Sequence, residues 1–199
     1  MPRLEFWYDL ASNYSYLSAM RIDSMAARAG IDVVWRPFLL GPIFKAQGWN
    51  TSPFNLYPAK GRNMIRDMQR TAADRGLPFV MPKTFPAMSL AAVRVAHAGE
   101  EHGWAPRFTR AAFAAEFGEG ADIADKAVLS RILTGLGLDA DAVLTAAGSD
   151  MVKDGLRART AEAQAKGIYG APSFVTESGE LFWGDDRLEQ AINWVSRSA

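Results

Sequence analysis

Ser12 is the first residue at which side-chain chemistry and position coincide. It follows the aromatic-rich run Leu4-Glu5-Phe6-Trp7-Tyr8-Asp9 and precedes Tyr16, Leu17, Met20 and Ile22, which recur at helical spacing. A hydroxyl where a strand meets a helix N-terminus lies among free backbone N–H groups that favour negative charge. It therefore suits an anion such as a thiolate or a carboxylate. The same serine also serves as an ordinary N-cap, which needs no ligand. The second candidate is Gly170-Ala171-Pro172-Ser173-Phe174. A proline just before a strand either stiffens the strand entry or, in the cis form, exposes the preceding carbonyl and N–H to a ligand. The third is the basic stretch Lys60, Arg62 and Arg66 at the start of a helical pattern. It forms a solvated face or captures a carboxylate-bearing substrate. Trp7, Tyr8, Tyr14, Phe44, Trp49 and Trp183 supply aromatic surface for a core or a pocket.

Composition removes several other chemistries. The chain has no cysteine, which excludes a disulfide, an iron–sulfur cluster and a cysteine nucleophile. Its two histidines, His97 and His102, are five apart and share no helical face, so no metal site is expected. Lys plus Arg total 22 and Asp plus Glu total 22, so there is no basic excess to attract nucleic acid. No apolar run is long enough for a signal peptide or a membrane span, and the expected compartment is the cytoplasm. An apolar fraction of 49% in 199 residues supports a sizeable core.

The candidates must be held by the surrounding elements. Residues 4–9 read as a strand, 13–29 as a helix and 31–37 as a second strand stopped by Pro37, which makes a parallel βαβ unit. Residues 42–58 are rich in proline and read as a loop or a short broken helix. Residues 60–75 carry Met64, Met68 and Ala72 on one helical face. Helical patterns continue to Lys166, with Asp125 and Asp139 as N-caps. Residues 173–176 and 181–183 then form a hairpin, and Asp186 to Val195 reads as a closing helix. The order βαβ, all-helical block, ββα predicts an α/β thioredoxin-like domain over 1–41 and 167–199, with a helical insertion over 42–166. A different α/β sheet with a helical cap fits the same order.

Three segments in the right order carry a more specific likeness: residues 6–17 (FWYDLASNYSYL), 167–174 (GIYGAPSF) and 182–188 (FWGDDRL), joined by Arg36-Pro37-Phe38-Leu39-Leu40-Gly41 and Lys60-Gly61. Together they resemble the 2-hydroxychromene-2-carboxylate isomerase family, which is similar to kappa-class glutathione transferases and DsbA-like oxidoreductases. Where the redox relatives carry Cys-x-x-Cys, this chain has Ser12 and Ser15, so dithiol exchange is excluded.

The resemblance implies a glutathione-dependent isomerase acting on a conjugated aromatic-degradation intermediate. Its steps are reversible thiolate addition, rotation and elimination. It also implies a homodimer. Ser12 is the expected catalytic residue, touching the glutathione sulfur. Ala171 and the cis-proline Pro172 are expected to bind its cysteinyl part, Asp185 and Asp186 its γ-glutamyl end, and Asn50 another part of it. Lys60 and Trp183 are the expected substrate contacts. The family commonly has Pro directly after the serine; this chain has Asn13, which adds an N–H donor and a polar side chain beside the sulfur site. Two other functions fit the same residues: a kappa-like transferase that consumes glutathione, and a cysteine-free ligand-binding or chaperone protein.

Overall fold

The computed structural model describes residues 1–198. Its sheet has four strands in the order β2-β1-β3-β4. These are β1 (Arg3–Tyr8), β2 (Asp32–Pro37), β3 (Ser173–Thr176) and β4 (Leu181–Trp183). β1 pairs parallel with β2 and antiparallel with β3, and β3 pairs antiparallel with β4. β1 is therefore central and is buried on both faces. Leu4, Phe6 and Tyr8 enter the main core, while Trp7 enters a smaller cluster with Phe38, Ile43 and Val175. This accounts for an unbroken aromatic run where a half-exposed strand would alternate. In register, Phe6 faces Trp35 and Phe174. Its ring meets the first edge-on at 5.0 Å and stacks on the second at 5.6 Å. Truncating such a ring costs about 3–5 kcal/mol. The expected aromatic pocket thus loses two members: Trp7 and Tyr8 are fully buried core residues, because their strand has no open face.

Helices α1 (Asn13–Ala19) and α2 (Ile22–Arg28) connect β1 to β2. Ser12 caps α1, its Oγ accepting from the Ser15 N–H at 3.2 Å. Everything between β2 and β3 is helical or loop: α3 (Leu40–Ala46), α4 (Pro53–Leu56), α5 (Pro58–Asp74), α6 (Leu90–Ala98), α7 (Ala105–Phe113), α8 (Lys126–Gly135), α9 (Ala140–Ala147) and α10 (Asp150–Ala165). The proline-rich stretch is more ordered than a loop. Ser52 caps α4 through the Phe54 N–H, and Pro53 occupies the first turn, where its missing N–H costs nothing. Asp125, Asp139 and Ser149 cap α8, α9 and α10 through side-chain oxygens. A widened turn, Ala114–Gly118, extends α7.

After the β3–β4 hairpin, a single 3₁₀ turn, Asp185–Arg187, leads into α11 (Leu188–Ser198). α11 buries Leu188, Ala191, Ile192 and Val195 against the sheet side of the molecule. The main core is continuous across sheet and insertion, joining Phe6 and Phe174 to Met64, Met68, Phe108 and Phe113.

Candidate functional site

A cavity of about 1750 Å3 lies between the carboxyl end of β1, the entry to β3, and the helices α3 to α5. Most of the candidates read from the sequence meet on its wall. Ser12, Ala171, Pro172, Asn50, Lys60, Trp183, Asp185 and Asp186 all line it. Arg62 and Arg66 do not. They are exposed, and Arg66 reaches Gln69 on its own helix.

Two chain segments 159 residues apart converge on Ser12. Its hydroxyl donates to the Ala171 carbonyl at 3.0 Å. The Ala171–Pro172 bond is cis. Among the described residues the Ala171 N–H meets no acceptor. Pro172 is locked in turn by the Gly184 N–H, which donates to its carbonyl at 3.0 Å. The elements holding Ser12 are as strongly tied. Buried Asp9 ends β1 and accepts from the Ala11 N–H at 3.0 Å, the Leu40 N–H at 2.8 Å and the Ser89 hydroxyl at 2.6 Å. One carboxylate thus fixes the β1–α1 turn, the start of α3 and the segment before α6. Burial pushes the Asp9 pKa up, and these three hydrogen bonds oppose the shift.

Asp185 and Asp186 are neighbours with different surroundings. Asp185 is 5% exposed and accepts from Ser18 Oγ at 2.9 Å, Arg75 Nη2 at 2.7 Å and Arg21 Nη2 at 3.2 Å. Arg21 also pairs with Glu189 on α11. The carboxylate of Asp185 is therefore filled by protein donors. The Asp186 side chain is 73% exposed and pairs with Arg187 at 3.2 Å. Gly184 makes this turn possible. Its φ is +110°, and a Cβ there would fall 2.6 Å from Asp186 Oδ1.

The remaining wall is aromatic and cationic. Trp183 packs on Tyr169 with ring centroids 5.0 Å apart. The indole lies directly over Gly170, where an added Cβ would come within 2.3 Å of Nε1. Across the cavity Phe44 meets Trp49 at 5.8 Å. Lys45 and Lys60 are exposed lining residues without an ion pair among the described residues. α5 presents Lys60, Asn63, Asp67 and Thr71 to the cavity, with Arg75 just past its end, and buries Met68 and Ala72 on its other side; Met64 is buried but also touches the cavity. Tyr14, another lining residue, donates its hydroxyl to Asp67 at 2.8 Å; burial, then the Asp67 carboxylate, raises its pKa.

Sequence reasoning missed Asp9, Ser89 and Arg75. Asp9 carried a signal, since an acidic residue closing the aromatic run Phe6-Trp7-Tyr8, three before Ser12, must find donors. Ser89 and Arg75 carried none. A buried acid also escaped notice. Glu116 lies in the widened turn after α7, and neither carboxyl oxygen has a hydrogen-bond partner. Burial first, then the nearby charges of Asp9 and Asp122, hold its pKa well above the ordinary value.

Among the described residues no group of three or more His, Asp or Glu is placed to hold a metal ion, and no helix is long and apolar enough to cross a membrane.

Residues 3–193 match the family described as the DSBA-like thioredoxin domain. A 2-hydroxychromene-2-carboxylate isomerase of Sphingobium xenophagum is 29% identical over 188 residues, covering 94% of each chain. Glutathione s-transferase kappa 2 of Caenorhabditis elegans is 24% identical over 97% of this chain and 91% of its own. The solved structure of a 2-hydroxychromene-2-carboxylate isomerase superposes with a TM-score of 0.88, covering 98% of this chain and 95% of that one; at 23% identity it speaks for the fold.

Proposed function

The chain belongs to the DsbA-like thioredoxin-domain family, and from that premise we propose that it is a glutathione-dependent isomerase of the 2-hydroxychromene-2-carboxylate type. Its relatives carry the names of isomerases and glutathione transferases. The observation that carries the reading is the hydrogen bond from Ser12 to the Ala171 carbonyl at the cavity wall.

The residues present fit a tripeptide thiol. Ala171 offers a free N–H, together with a carbonyl held only by an exchangeable hydroxyl. That is the donor–acceptor pair a ligand backbone needs to add as a short strand. When bound, glutathione would supply a thiolate that adds reversibly to a conjugated substrate, permits rotation about the former double bond, and leaves again.

The protein's part is positional and electrostatic. Ser12 turns its O–H from the Ala171 carbonyl to the ligand sulfur, favouring the anion. The released carbonyl receives the ligand's peptide N–H, so no acceptor is orphaned. Asp186, at the cavity rim, meets the γ-glutamyl ammonium. Asp185 keeps the turn in place, and with its carboxylate filled it acts on the ligand through backbone position. Lys60 and Lys45, unpaired on the α3–α5 side, attract carboxylates, and Asn50, which also lines the cavity, contacts glutathione. Trp183 and Tyr169 on one side, and Phe44 and Trp49 on the other, offer flat apolar faces to an aromatic co-substrate. In this reading residues 1–41 and 167–199, with Asn50, bind the cofactor, and the rest of the insertion 42–166 supplies the substrate wall of a cytoplasmic homodimer.

The test is turnover of α,β-unsaturated aromatic pyruvates with and without glutathione. Isomerisation at substoichiometric glutathione, with the thiol recovered, is expected. Stoichiometric loss of the thiol would instead identify a transferase, the activity named in the kappa-class relative. Binding without turnover of either kind would make the protein a carrier.

A further inference from the structure

Asn13 follows Ser12 directly and occupies the first position of α1. It is 1% exposed and contributes to the cavity wall. The orientation of its amide is settled by its neighbours. Oδ1 accepts from the Tyr14 N–H at 2.9 Å, so the amino group is Nδ2. Nδ2 faces the thioether of Met64, with Sδ 2.6 Å away. A primary amide has two N–H donors and a thioether is a weak acceptor. Among the described residues Nδ2 meets no oxygen acceptor. A buried amide this poorly supplied gains from any anion placed beside it.

Resting on the isomerase reading, we infer that the Asn13 side-chain amide is a second hydrogen-bond donor to the anion received by Ser12, the sulfur of a bound thiol. Ser12 has one proton to give, and in the absence of ligand that proton lies on the Ala171 carbonyl. Asn13 has no competing carbonyl. It gives the sulfur a donor that need not be exchanged from elsewhere, which lowers the reorganisation required when the charge appears. Met64, which also reaches the cavity wall, only packs against the amide from α5.

The test uses the full chain, glutathione and the ultraviolet absorbance of the bound thiolate titrated against pH. Asn13→Pro and Asn13→Ala form the variant pair. Proline suits this position on local grounds. Ser12 has φ −95° and ψ 111°, the extended geometry that precedes proline, and the Asn13 N–H meets no acceptor among the described residues. The proline variant should therefore fold even if the alanine variant packs poorly. In both, the bound thiol should titrate about one unit higher than in the wild type, with kcat/KM about tenfold lower, as the loss of one hydrogen bond to a charged group predicts. Asn13→Gln and Met64→Leu both keep the amide, and the leucine variant should retain the wild-type titration. Wild-type thiol titration in both Asn13→Pro and Asn13→Ala would overturn the inference. A wild-type protein that binds no glutathione would instead overturn the isomerase reading, so the two failures are distinguishable.

Discussion

The β1–α1 turn and the α3–α5 wall face each other across one cavity and are built on opposite terms. On the first side the backbone that frames the site is tied down. Ser12 is bonded to Ala171, Pro172 to Gly184, and the turn beneath them to Asp9. On the second side two cations hang free: Lys45 and Lys60 have no ion pair among the described residues. A preorganised donor works where charge develops in the reaction, and an unconstrained cation works where a substrate needs only to be attracted. The contrast teaches that precision and adaptability are divided between two walls of the same site.

The largest effect should come from the rigid wall. Ser12→Ala is expected to lower kcat by about 10²–10³, the range for removing a donor from a developing anion, while lost capping lowers stability by only about 1 kcal/mol. Steady-state kinetics beside a thermal melt checks both, and wild-type turnover would reduce Ser12 to a cap. Ser15→Ala should be nearly silent, since that buried hydroxyl has no partner to lose.

Asp185→Asn tests whether the rigid wall depends on its ion cluster. It leaves Arg21 and Arg75 without their shared carboxylate, and roughly 3 kcal/mol of stability should be lost, read as a lower denaturant midpoint at constant slope. Unchanged stability would show that the cluster is decoration.

The adaptable wall predicts smaller and more selective changes. Lys60→Met should raise KM for a carboxylate substrate about tenfold, leave kcat and glutathione affinity alone, and leave the corresponding ester unaffected. Arg62→Met and Arg66→Met should do nothing. Equal loss on acid and ester would place Lys60 among structural residues and erase the contrast.

Glu116→Gln gives the smallest change, visible in its pH dependence. In the unfolded chain Glu116 ionises near the ordinary 4.5, whereas folded it keeps its proton well above that value. Unfolding between these limits releases a proton. The penalty is therefore absent below the ordinary pKa and grows as pH rises toward the folded value. Gln cannot ionise, so the variant should gain stability relative to wild type as pH rises above the ordinary pKa, and match it near pH 4. Parallel pH–stability curves for the two proteins would contradict this.

What could be read from residues alone follows from how locally each feature is encoded. Ser12, Pro172, the aromatic strand and the caps Asp125 and Asp139 depend on neighbours a few positions away, and the sequence shows those neighbours. The partners of Asp9 and Asp185 lie 80 and 110 residues off, at Ser89 and Arg75, and no spacing announces them. Trp7 and Tyr8 were candidates for the pocket because aromatic type does not reveal whether a strand is central or at an edge. Asp185 and Asp186 look alike in sequence, yet 5% and 73% side-chain exposure separate a pinned acid from an available one.

α5 stands between these two worlds. Met68 and Ala72 lock one side of it into the core, Lys60, Asn63, Asp67 and Thr71 form the cavity wall on the other, and buried Met64 touches both. A partition of this kind transmits volume. A bulkier or smaller side chain at Met68, 0% exposed and remote from any ligand, must slide the helix and thereby widen or narrow the chamber beyond it. Substrate range in this protein is thus open to tuning from the hidden side, by substitutions that never touch what is bound.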